Sequence, residues 1–282
     1  MVVIDGKKIS TEIKEEIKKE VSEYKENTGQ TPGLAVVLVG ENPASKVYVN
    51  SKVKSCGDLG FYSEKHVLEE NSSEEEVLEL IDKLNENEKV HGILVQLPLP
   101  KHIDEKKVTN RIASEKDVDG FKPENLGKVM IGEDDGFKSC TPYGVIELLK
   151  RSGIEIAGKD AVIVGRSNIV GKPLVGLLIS ESATVTICHS RTKNLTEKTK
   201  QADILIAAVG KAGFITKDMV KEGAVVVDVG INRNEAGKLC GDVAFDEVAP
   251  MTSAITPVPG GVGPMTIAML MKNTMKSFKK SL

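Results

Sequence analysis

The sequence predicts an α/β protein with two domains, on three observations. Its 282 residues correspond to about two domains at roughly 150 residues each. Short apolar runs that end in glycine or proline alternate with stretches of helical period, which is typical of parallel strands buried on both faces and joined by helices. Residues 116–136 are rich in Gly, Asp, Lys and Pro and show no sustained period, which predicts a loop between two such alternating blocks.

The first block predicts a parallel sheet with helical connections. Residues 34–40 form a continuous apolar run that ends in glycine, and Ser72 and Glu75 have the capping-box spacing that opens a helix. In chain order we predict a helix over 13–24, strands at 34–40, 61–67 and 92–100, and helices at 44–59, 77–84 and 104–112.

The second block predicts another parallel sheet with right-handed crossovers. It opens with a helix that has Thr141 as its N-cap, Pro142 as its first residue and an end near Arg151. Strands at 161–165, 183–189, 203–210 and 224–230 alternate with helical segments at 172–181, 195–200 and 217–220, and a last helix covers 264–279.

Composition excludes several classes of function. With 38 Lys+Arg against 41 Asp+Glu the net charge is −3, so no global basic field attracts nucleic acid or a membrane surface. The four cysteines lie far apart without a CxxC pair, which predicts buried reduced thiols and neither a metal site nor a disulfide framework. The N-terminus is unlike a signal peptide, and no apolar run approaches the ~20 residues of a membrane span. We expect a cytoplasmic protein.

The strongest local signal lies in AVIVGRSNIVGKP. A strand leads into Gly165, Arg166 and Ser167, and Gly171 opens the following helix. A doubly wound sheet presents backbone N–H groups and a helix N-terminus to a pyrophosphate at this position. The spacing departs from GxGxxG, so an ordinary tight strand-to-helix turn stays open as the alternative.

The end of the next strand indicates which dinucleotide is bound. An NAD-specific site usually carries an acid here for the ribose hydroxyls, whereas this chain has Ser190 and Arg191. The Arg191 guanidinium suits phosphate oxygens, so the pattern favours NADP over NAD. The alternative is a solvated arginine at a strand end, and the neighbouring His189 is assigned no role.

Four polar side chains of the first block are candidates for chemistry or binding. Tyr48 and Lys52 are four residues apart, so they share a helix face and form a candidate acid/base pair; the alternative is a solvated basic face. Gln96 ends a buried strand, at the edge where ligands bind in open α/β sheets. Asp119, in the break between the blocks, could bind ring N–H donors, or form an Asx turn before Gly120.

The segment TPVPGGVGPMT, residues 256–266, contains three glycines and three prolines. This composition predicts a stiff loop whose backbone approaches a ligand, with Gly260 and Gly261 as candidate contacts. The alternative is a plain interdomain turn.

Taken together, seven segments in order resemble the methylenetetrahydrofolate dehydrogenase/cyclohydrolase family. They are VGENPASKVYVNSKVK, GILVQLPLP, EKDVDGF, CTPYG, VGRSNIVGKP, VVDVGINR and PGGVGPMT. Each segment is weak alone, whereas the ordered set is highly specific. The departures are small: Ser139 stands where proline is expected, and Ala244 where aspartate is expected.

The resemblance implies an N-terminal α/β catalytic domain that binds folate and a C-terminal Rossmann-like NADP domain, with the active site in the cleft between them. Residues 1–140 and 264–282 would form the first domain and residues 141–263 the second, with a linking helix at 141–151. The implied reactions pass a hydride from 5,10-methylenetetrahydrofolate to NADP and hydrolyse the methenyl product to 10-formyltetrahydrofolate, in one-carbon metabolism and purine biosynthesis. A homodimer is implied as well.

The resemblance also implies roles for individual residues. Lys52 matches the catalytic lysine that activates water, Tyr48 the aromatic that positions substrate and lysine, and Gln96 the partner of that lysine. Asp119 matches the anchor for the pterin amino and N3–H groups. The positions that match the NADP contacts are Gly165, Arg166, Ser167, Ser190 and Ile231, to which the charge argument adds Arg191.

Three alternatives stay open at this point. The first is an enzyme of the same family that performs only the dehydrogenase step. The second is a related two-domain enzyme of the shikimate dehydrogenase type, which would reduce a ketone. The third is a folate or NADP binding protein without turnover, which would not need Lys52 and Tyr48.

Overall fold

The computed structural model describes residues 1–282, and the chain folds into two compact units. We call them the three-stranded unit and the six-stranded unit after their main sheets. The three-stranded unit comprises Glu12–Leu126, Gly136–Lys138 and Leu270–Leu282, and the six-stranded unit comprises Met1–Thr11, Gly127–Asp135 and Ser139–Met269.

The helices and strands follow one another with short connections. In chain order they are β1 (Val2–Val3), α1 (Gly6–Thr28), β2 (Gly33–Val39), α2 (Pro43–Leu59), β3 (Tyr62–Leu68), α3 (Glu74–Glu86), β4 (Gly92–Val95), α4 (Glu105–Arg111), α5 (Pro123–Met130), α6 (Cys140–Arg151), β5 (Asp160–Val164), α7 (Gly171–Ser180), β6 (Thr184–Cys188), α8 (Leu195–Thr199), β7 (Ile204–Ala207), β8 (Val225–Asp228), β9 (Asn232–Arg233), β10 (Leu239–Cys240), α9 (Phe245–Val248), β11 (Ala254–Ile255) and α10 (Val262–Ser281). None of the helices is both long and apolar enough to cross a membrane.

The sheet of the three-stranded unit has the order β3-β2-β4 and is parallel throughout. Every residue of the central strand β2 is buried, which explains its continuous apolar sequence. The apolar stripe of α3, with Val77, Ile81 and Leu84, packs into the same core as β2 and β4. The carboxyl ends of β2 and β4 therefore lie at one edge, where Gln96 N–H donates to the carbonyl of Val37 at 2.9 Å.

The sheet of the six-stranded unit has the order β1-β11-β8-β7-β5-β6 and is also parallel. From β5 the chain adds β6 on one side and then crosses to add β7 and β8 on the other. The strand order thus reverses beside β5, and ligands of open α/β sheets bind outside the carboxyl ends of the strands at such a point. Both predicted parallel sheets are confirmed.

Some local predictions were wrong in detail. The capping box of α3 uses Ser73 and Glu76, one residue after the predicted pair, because two adjacent serines and three glutamates fit the same spacing. Helix α6 begins at Cys140, with Ser139 in the N-cap position but without a capping hydrogen bond from its side chain, so Thr141 is not the cap. Instead, the Thr141 hydroxyl bonds to the hydroxyl of Thr266 at 2.9 Å.

Two further features escaped the sequence pattern because they are short. The break at 116–136 contains helix α5, whose eight residues are too few to show a period. Strands β1 and β11 have two residues each, and they pair with each other in register Val2↔Ala254. Such pairing depends on where the chain returns in space, and two-residue runs carry no signal of it.

Candidate active site

Lys52 and Gln96, which are 44 residues apart in the chain, meet in the three-stranded unit. Lys52 Nζ donates to Gln96 Oε1 at 3.0 Å. The Gln96 amide nitrogen donates to the carbonyl of Leu97 at 2.7 Å, which leaves the amide oxygen for the lysine. An amide oxygen accepts from a lysine nitrogen in either protonation state and adds no charge, whereas a carboxylate would favour the ammonium form.

Helix α2 sets the direction of Lys52. Its start is capped by Asn42, whose side-chain oxygen accepts from the N–H groups of Ala44 and Ser45. Its end, at Leu59, is followed by the C-cap Gly60 with φ of 78°. Val49, three residues before Lys52, is fully buried and fixes the adjacent side of the helix. With both ends and this side held, the helix has a defined rotation, which places Lys52 at the half-buried border of the packed face and Tyr48, one turn earlier, at an exposed position.

Tyr48 is 41% exposed and Lys52 is half-buried. A half-exposed phenol beside an amine is accessible to a ligand, which agrees with the predicted shared face. The structure thus brings Lys52 and Gln96 into direct contact and places Tyr48 one helical turn from the lysine.

Asp119 lies in a loop that a second acid, Asp117, organises. Asp117 is 2% exposed and accepts from Phe121 N–H at 3.2 Å and Lys122 N–H at 2.8 Å. Asn125 Nδ2 donates to the same carboxylate at 2.8 Å. Burial raises the pKa of Asp117 to about 6, because desolvation outweighs these donors.

The turn expected before Gly120 is therefore built by Asp117, and Asp119 is half-buried. Asn273 of α10 holds the same loop from another direction: its amide donates to the carbonyls of Val118 at 2.8 Å and Lys138 at 2.9 Å. Sequence reasoning missed Asp117 and Asn273 as supports of the loop. The first aspartate of EKDVDG, Asp117, was the available signal in the sequence, whereas no pattern pointed to Asn273.

In the six-stranded unit, the turn after β5 requires its glycines. Gly165 has φ of +135°, and a Cβ on it would lie 2.1 Å from the carbonyl oxygen of Ala208. A Cβ on Gly171 would lie 2.1 Å from the carbonyl oxygen of Gly165. Ser167 Oγ accepts from Val170 N–H at 3.2 Å, which leaves its proton available to a ligand. This closely packed turn, which a Cβ would disrupt, lies beside the N-terminus of α7, a position that suits a pyrophosphate.

The turn after β6 presents Ser190 and Arg191, both exposed. His189 N–H donates to Thr192 Oγ1 at 2.8 Å, and Thr192 N–H returns to the His189 carbonyl at 2.8 Å. His189 Nδ1 accepts from Arg191 N–H at 3.1 Å. His189 thus shapes the turn that carries Arg191, a role that sequence reasoning did not assign.

The remaining candidates are also in the six-stranded unit. Ile231 follows β8 and is 51% exposed. Gly260 has φ of +103°, and its carbonyl accepts from Lys7 N–H at 2.9 Å. A Cβ on Gly261 would lie 2.5 Å from the carbonyl oxygen of Pro257. Both glycines are therefore required by the path of the backbone, whichever ligand they contact.

Comparison with known proteins agrees with this division of the candidate residues. Residues 4–119 match the family model for the tetrahydrofolate dehydrogenase/cyclohydrolase catalytic domain. Residues 139–282 match the model for the NAD(P)-binding domain of the same family.

Relatives resemble the whole chain. The bifunctional protein FolD of Acetivibrio thermocellus is 61% identical over 98% of this chain and 96% of its own length. Bifunctional FolD of Campylobacter jejuni has a TM-score of 0.98 at 53% identity, over 100% of both chains. FolD of Trypanosoma brucei, complexed with NADP and an inhibitor, has a TM-score of 0.95 at 40% identity, over 100% of this chain and 98% of its own.

A shikimate 5-dehydrogenase from Thermus thermophilus is similar in fold alone. It is 15% identical, with a TM-score of 0.54 over 88% of this chain and 100% of its own. The alternative raised from the sequence was an enzyme of the shikimate dehydrogenase type. This chain and that enzyme therefore share an architecture.

Proposed function

Since this chain belongs to the tetrahydrofolate dehydrogenase/cyclohydrolase family, we propose that it performs both reactions of that family. It oxidises 5,10-methylenetetrahydrofolate to 5,10-methenyltetrahydrofolate with NADP, and it hydrolyses the methenyl compound to 10-formyltetrahydrofolate. The observation that carries the proposal is the hydrogen bond of 3.0 Å between Lys52 Nζ and Gln96 Oε1. A protein that only bound folate or NADP would have no need of a lysine held by a neutral acceptor.

The oxidation requires placement more than acid/base catalysis. Loss of a hydride leaves a cation that the two ring nitrogens of the folate stabilise, so no strong base is needed. NADP supplies the hydride acceptor when it is bound. Asp119 binds the amino and N3–H groups of the pterin, and its loop is held by Asp117 and Asn273. Tyr48 positions the substrate beside Lys52.

The hydrolysis requires a proton carrier, and Lys52 fills this role. As water adds to the methenyl carbon, a neutral Lys52 accepts a proton from it. As the C–N bond breaks, Lys52 returns this proton to the departing ring nitrogen, and the hydroxyl of the adduct releases its own proton to water and becomes the formyl carbonyl. A neutral lysine is preferred beside the cationic substrate, because two positive charges would repel each other. Gln96 suits this cycle because its oxygen holds Lys52 Nζ without adding charge.

In the six-stranded unit the proposed NADP contacts are of two kinds. The turn after β5, with Gly165, Arg166 and Ser167, would hold the pyrophosphate, and the exposed Ile231 would contact the cofactor. The turn after β6 offers Ser190 and Arg191 to the 2′-phosphate. Gly260 and Gly261 form the backbone side of the folate site.

The proposal also includes the domain boundaries, the compartment, the oligomeric state and the metabolic role of the enzyme. Residues 1–140 with 264–282 form the folate domain, and residues 141–263 form the NADP domain with its linking helix at 141–151. We place the enzyme in the cytoplasm as a homodimer, in one-carbon metabolism that supplies purine biosynthesis. The four free cysteines support a reducing compartment.

The test is a spectrophotometric assay of the purified protein. We expect NADP-dependent oxidation of methylenetetrahydrofolate with little activity on NAD, and hydrolysis of the methenyl compound without any cofactor. Oxidation without hydrolysis would indicate the alternative, an enzyme with only the dehydrogenase step. Absence of both reactions would overturn the proposed function.

A further inference from the structure

Asp228 and Asp242 are buried carboxylates of the six-stranded unit, 4% and 0% exposed. We propose that they are positioning residues for NADP, which together hold the loops after β7 and β8 in the conformation that receives the cofactor. On this proposal they serve the oxidation and not the hydrolysis. The inference deepens the proposed function and rests on it for the identity of the cofactor site.

Asp242 binds the loop that follows β7. Its Oδ2 accepts from Val209 N–H at 2.6 Å and from Gly210 N–H at 3.0 Å. Its Oδ1 accepts from Lys211 N–H at 2.9 Å and from the side-chain amide of Asn232 at 2.8 Å. Three consecutive backbone N–H groups thus converge on one carboxylate, and Asn232 ties the loop after β8 to the same group.

Asp228 is the last residue of β8 and binds the backbone on either side of Asp242. Its Oδ1 accepts from the N–H groups of Gly230 and Asp242, each at 2.9 Å. Its Oδ2 accepts from Val243 N–H at 2.9 Å. The loop after β8 and the segment before α9 are thereby fixed to the end of the same strand.

Only ionised carboxylates satisfy this arrangement. All seven groups that bond to the two side chains are N–H donors, so the NH₂ of an asparagine in place of either aspartate would face at least one donor. Burial, together with the nearby charge of Asp242, raises the pKa of Asp228 to about 6. Two like charges close together in the interior are costly, which favours a role beyond stability.

Two glycines make room for the carboxylates. A Cβ on Gly230 would lie 2.3 Å from Asp242 Oδ1, and a Cβ on Gly241 would lie 1.9 Å from Asp228 Oδ2. The strings DVG, at 228–230, and GD, at 241–242, therefore form one structural unit. Its consequence is that neither loop can shift without losing several hydrogen bonds at once.

These loops border the proposed cofactor contacts. The loop after β7 begins at Ala208, whose carbonyl oxygen is the atom that a Cβ on Gly165 would meet at 2.1 Å. The loop after β8 carries the exposed Ile231 between Gly230 and Asn232. A displacement of the carboxylates would therefore move both the backbone packed against the proposed pyrophosphate turn and Ile231, the side chain proposed to contact the cofactor.

The experiment compares Asp242→Asn with a matched control, Asp218→Asn, an exposed aspartate of the same unit. NADP binding is titrated without folate, kcat and KM for NADP are measured in the oxidation, and hydrolysis of the methenyl compound is measured without NADP. For Asp242→Asn we expect the Kd and KM for NADP to rise by about tenfold or more, as buried donors lose a charged acceptor. Hydrolysis should stay at the wild-type rate, and the control should behave as wild type throughout.

A folded Asp242→Asn protein with wild-type NADP affinity would overturn the proposal, as would a loss of hydrolysis equal to the loss of NADP affinity. If Asp242→Asn does not fold, Asn232→Ala decides, since it removes a single donor to Asp242. We then expect a Kd for NADP weaker by about threefold with unchanged hydrolysis, and an unchanged Kd would overturn the proposal. Because NADP is titrated without folate, a wild type that binds NADP but catalyses neither reaction would overturn only the proposed function.

Discussion

In the three-stranded unit the groups proposed for chemistry are side-chain atoms, Lys52 Nζ and Gln96 Oε1, carried by a capped helix and a strand end. In the six-stranded unit the groups proposed for binding are largely backbone, exposed by Gly165 and held by carboxylates that lie beneath the loops. The first region acts through the chemistry of its side chains, and the second acts through the path of its main chain.

The difference predicts opposite sensitivities to mutation. Replacing Lys52 removes a proton carrier and leaves the main chain in place. Replacing Gly165 or Asp242 removes no catalytic group but displaces main chain. The two reactions separate these effects, because hydrolysis uses no NADP and so does not depend on the proposed cofactor turns of the six-stranded unit, whereas oxidation does.

The largest effect is expected for Lys52→Met. Hydrolysis of the methenyl compound should fall by about 10²–10⁴-fold, the usual contribution of a positioned acid/base group, while the Kd for NADP stays within a few-fold. Lys54→Met, at an exposed position of the same helix, is the control and should hydrolyse normally. Unchanged hydrolysis in Lys52→Met would remove the lysine from its proposed role.

Gly165→Ala tests the backbone side of the comparison. The added Cβ would meet the Ala208 carbonyl oxygen at 2.1 Å, so we expect the Kd for NADP to rise by roughly 100-fold, near the upper end of the ~1–3 kcal/mol of a strained backbone. Hydrolysis should persist. Gly127→Ala, where a Cβ meets nothing within 4 Å, is the matched control. Equal loss of both reactions would mean that the two regions are not separable.

Asp119→Ala should slow both reactions together, because each needs the same pterin anchor. A hydrogen bond to a charged group is worth about 1.5–3 kcal/mol, and we expect a KM for folate that is higher by a corresponding factor of roughly 10 to 100. Steady-state kinetics of the two reactions provide the measurement. A fall in only one of them would assign Asp119 to a chemical step.

Arg191→Ala tests whether Arg191 gives the protein its preference for NADP over NAD. Loss of the guanidinium should raise the Kd for NADP by about tenfold, the lower end for charged hydrogen bonds, since the side chain is exposed. The Kd for NAD should hardly change, as NAD has no 2′-phosphate. Both cofactors are titrated at fixed salt. An equal rise in the Kd for NADP and the Kd for NAD would mean that Arg191 does not bind the 2′-phosphate.

The smallest effect concerns pH and the buried acid Asp228, whose pKa is raised from 3.8 to about 6 by burial. The folded state takes up this proton more readily than the unfolded chain, so the contribution of Asp228 to the free energy of unfolding rises as pH falls through 6. Between pH 7 and pH 5 the difference between wild type and Asp228→Asn should grow by about 1 kcal/mol in favour of wild type.

Denaturant titrations at the two pH values measure that difference. Acids with a lowered pKa, such as Asp203, titrate in both proteins, so their contributions to the free energy of unfolding cancel in the comparison. If Asp228→Asn does not fold, the ¹³C resonance of the wild-type carboxyl group gives the pKa directly. A value near 4 would contradict the prediction.

Local sequence alone determined most of the helices and strands and the placement of several candidate residues. The apolar run of β2, the shared face of Tyr48 and Lys52 and the glycine turn after β5 follow from spacings of a few residues, where propensity, capping and periodicity act. The exposed ends of the strands also follow, because a parallel sheet places its carboxyl ends at one edge.

The tertiary structure alone decided which distant groups meet. The contact of Lys52 with Gln96 spans 44 residues, β1 finds β11 from the other end of the chain, and Asp242 collects donors from two loops. Of two adjacent serines with the same spacing to a glutamate, only the structure shows that Ser73 is the cap of α3. These choices depend on the path of the backbone through the whole fold, and hydrogen bonds between residues far apart leave no periodic trace in the sequence.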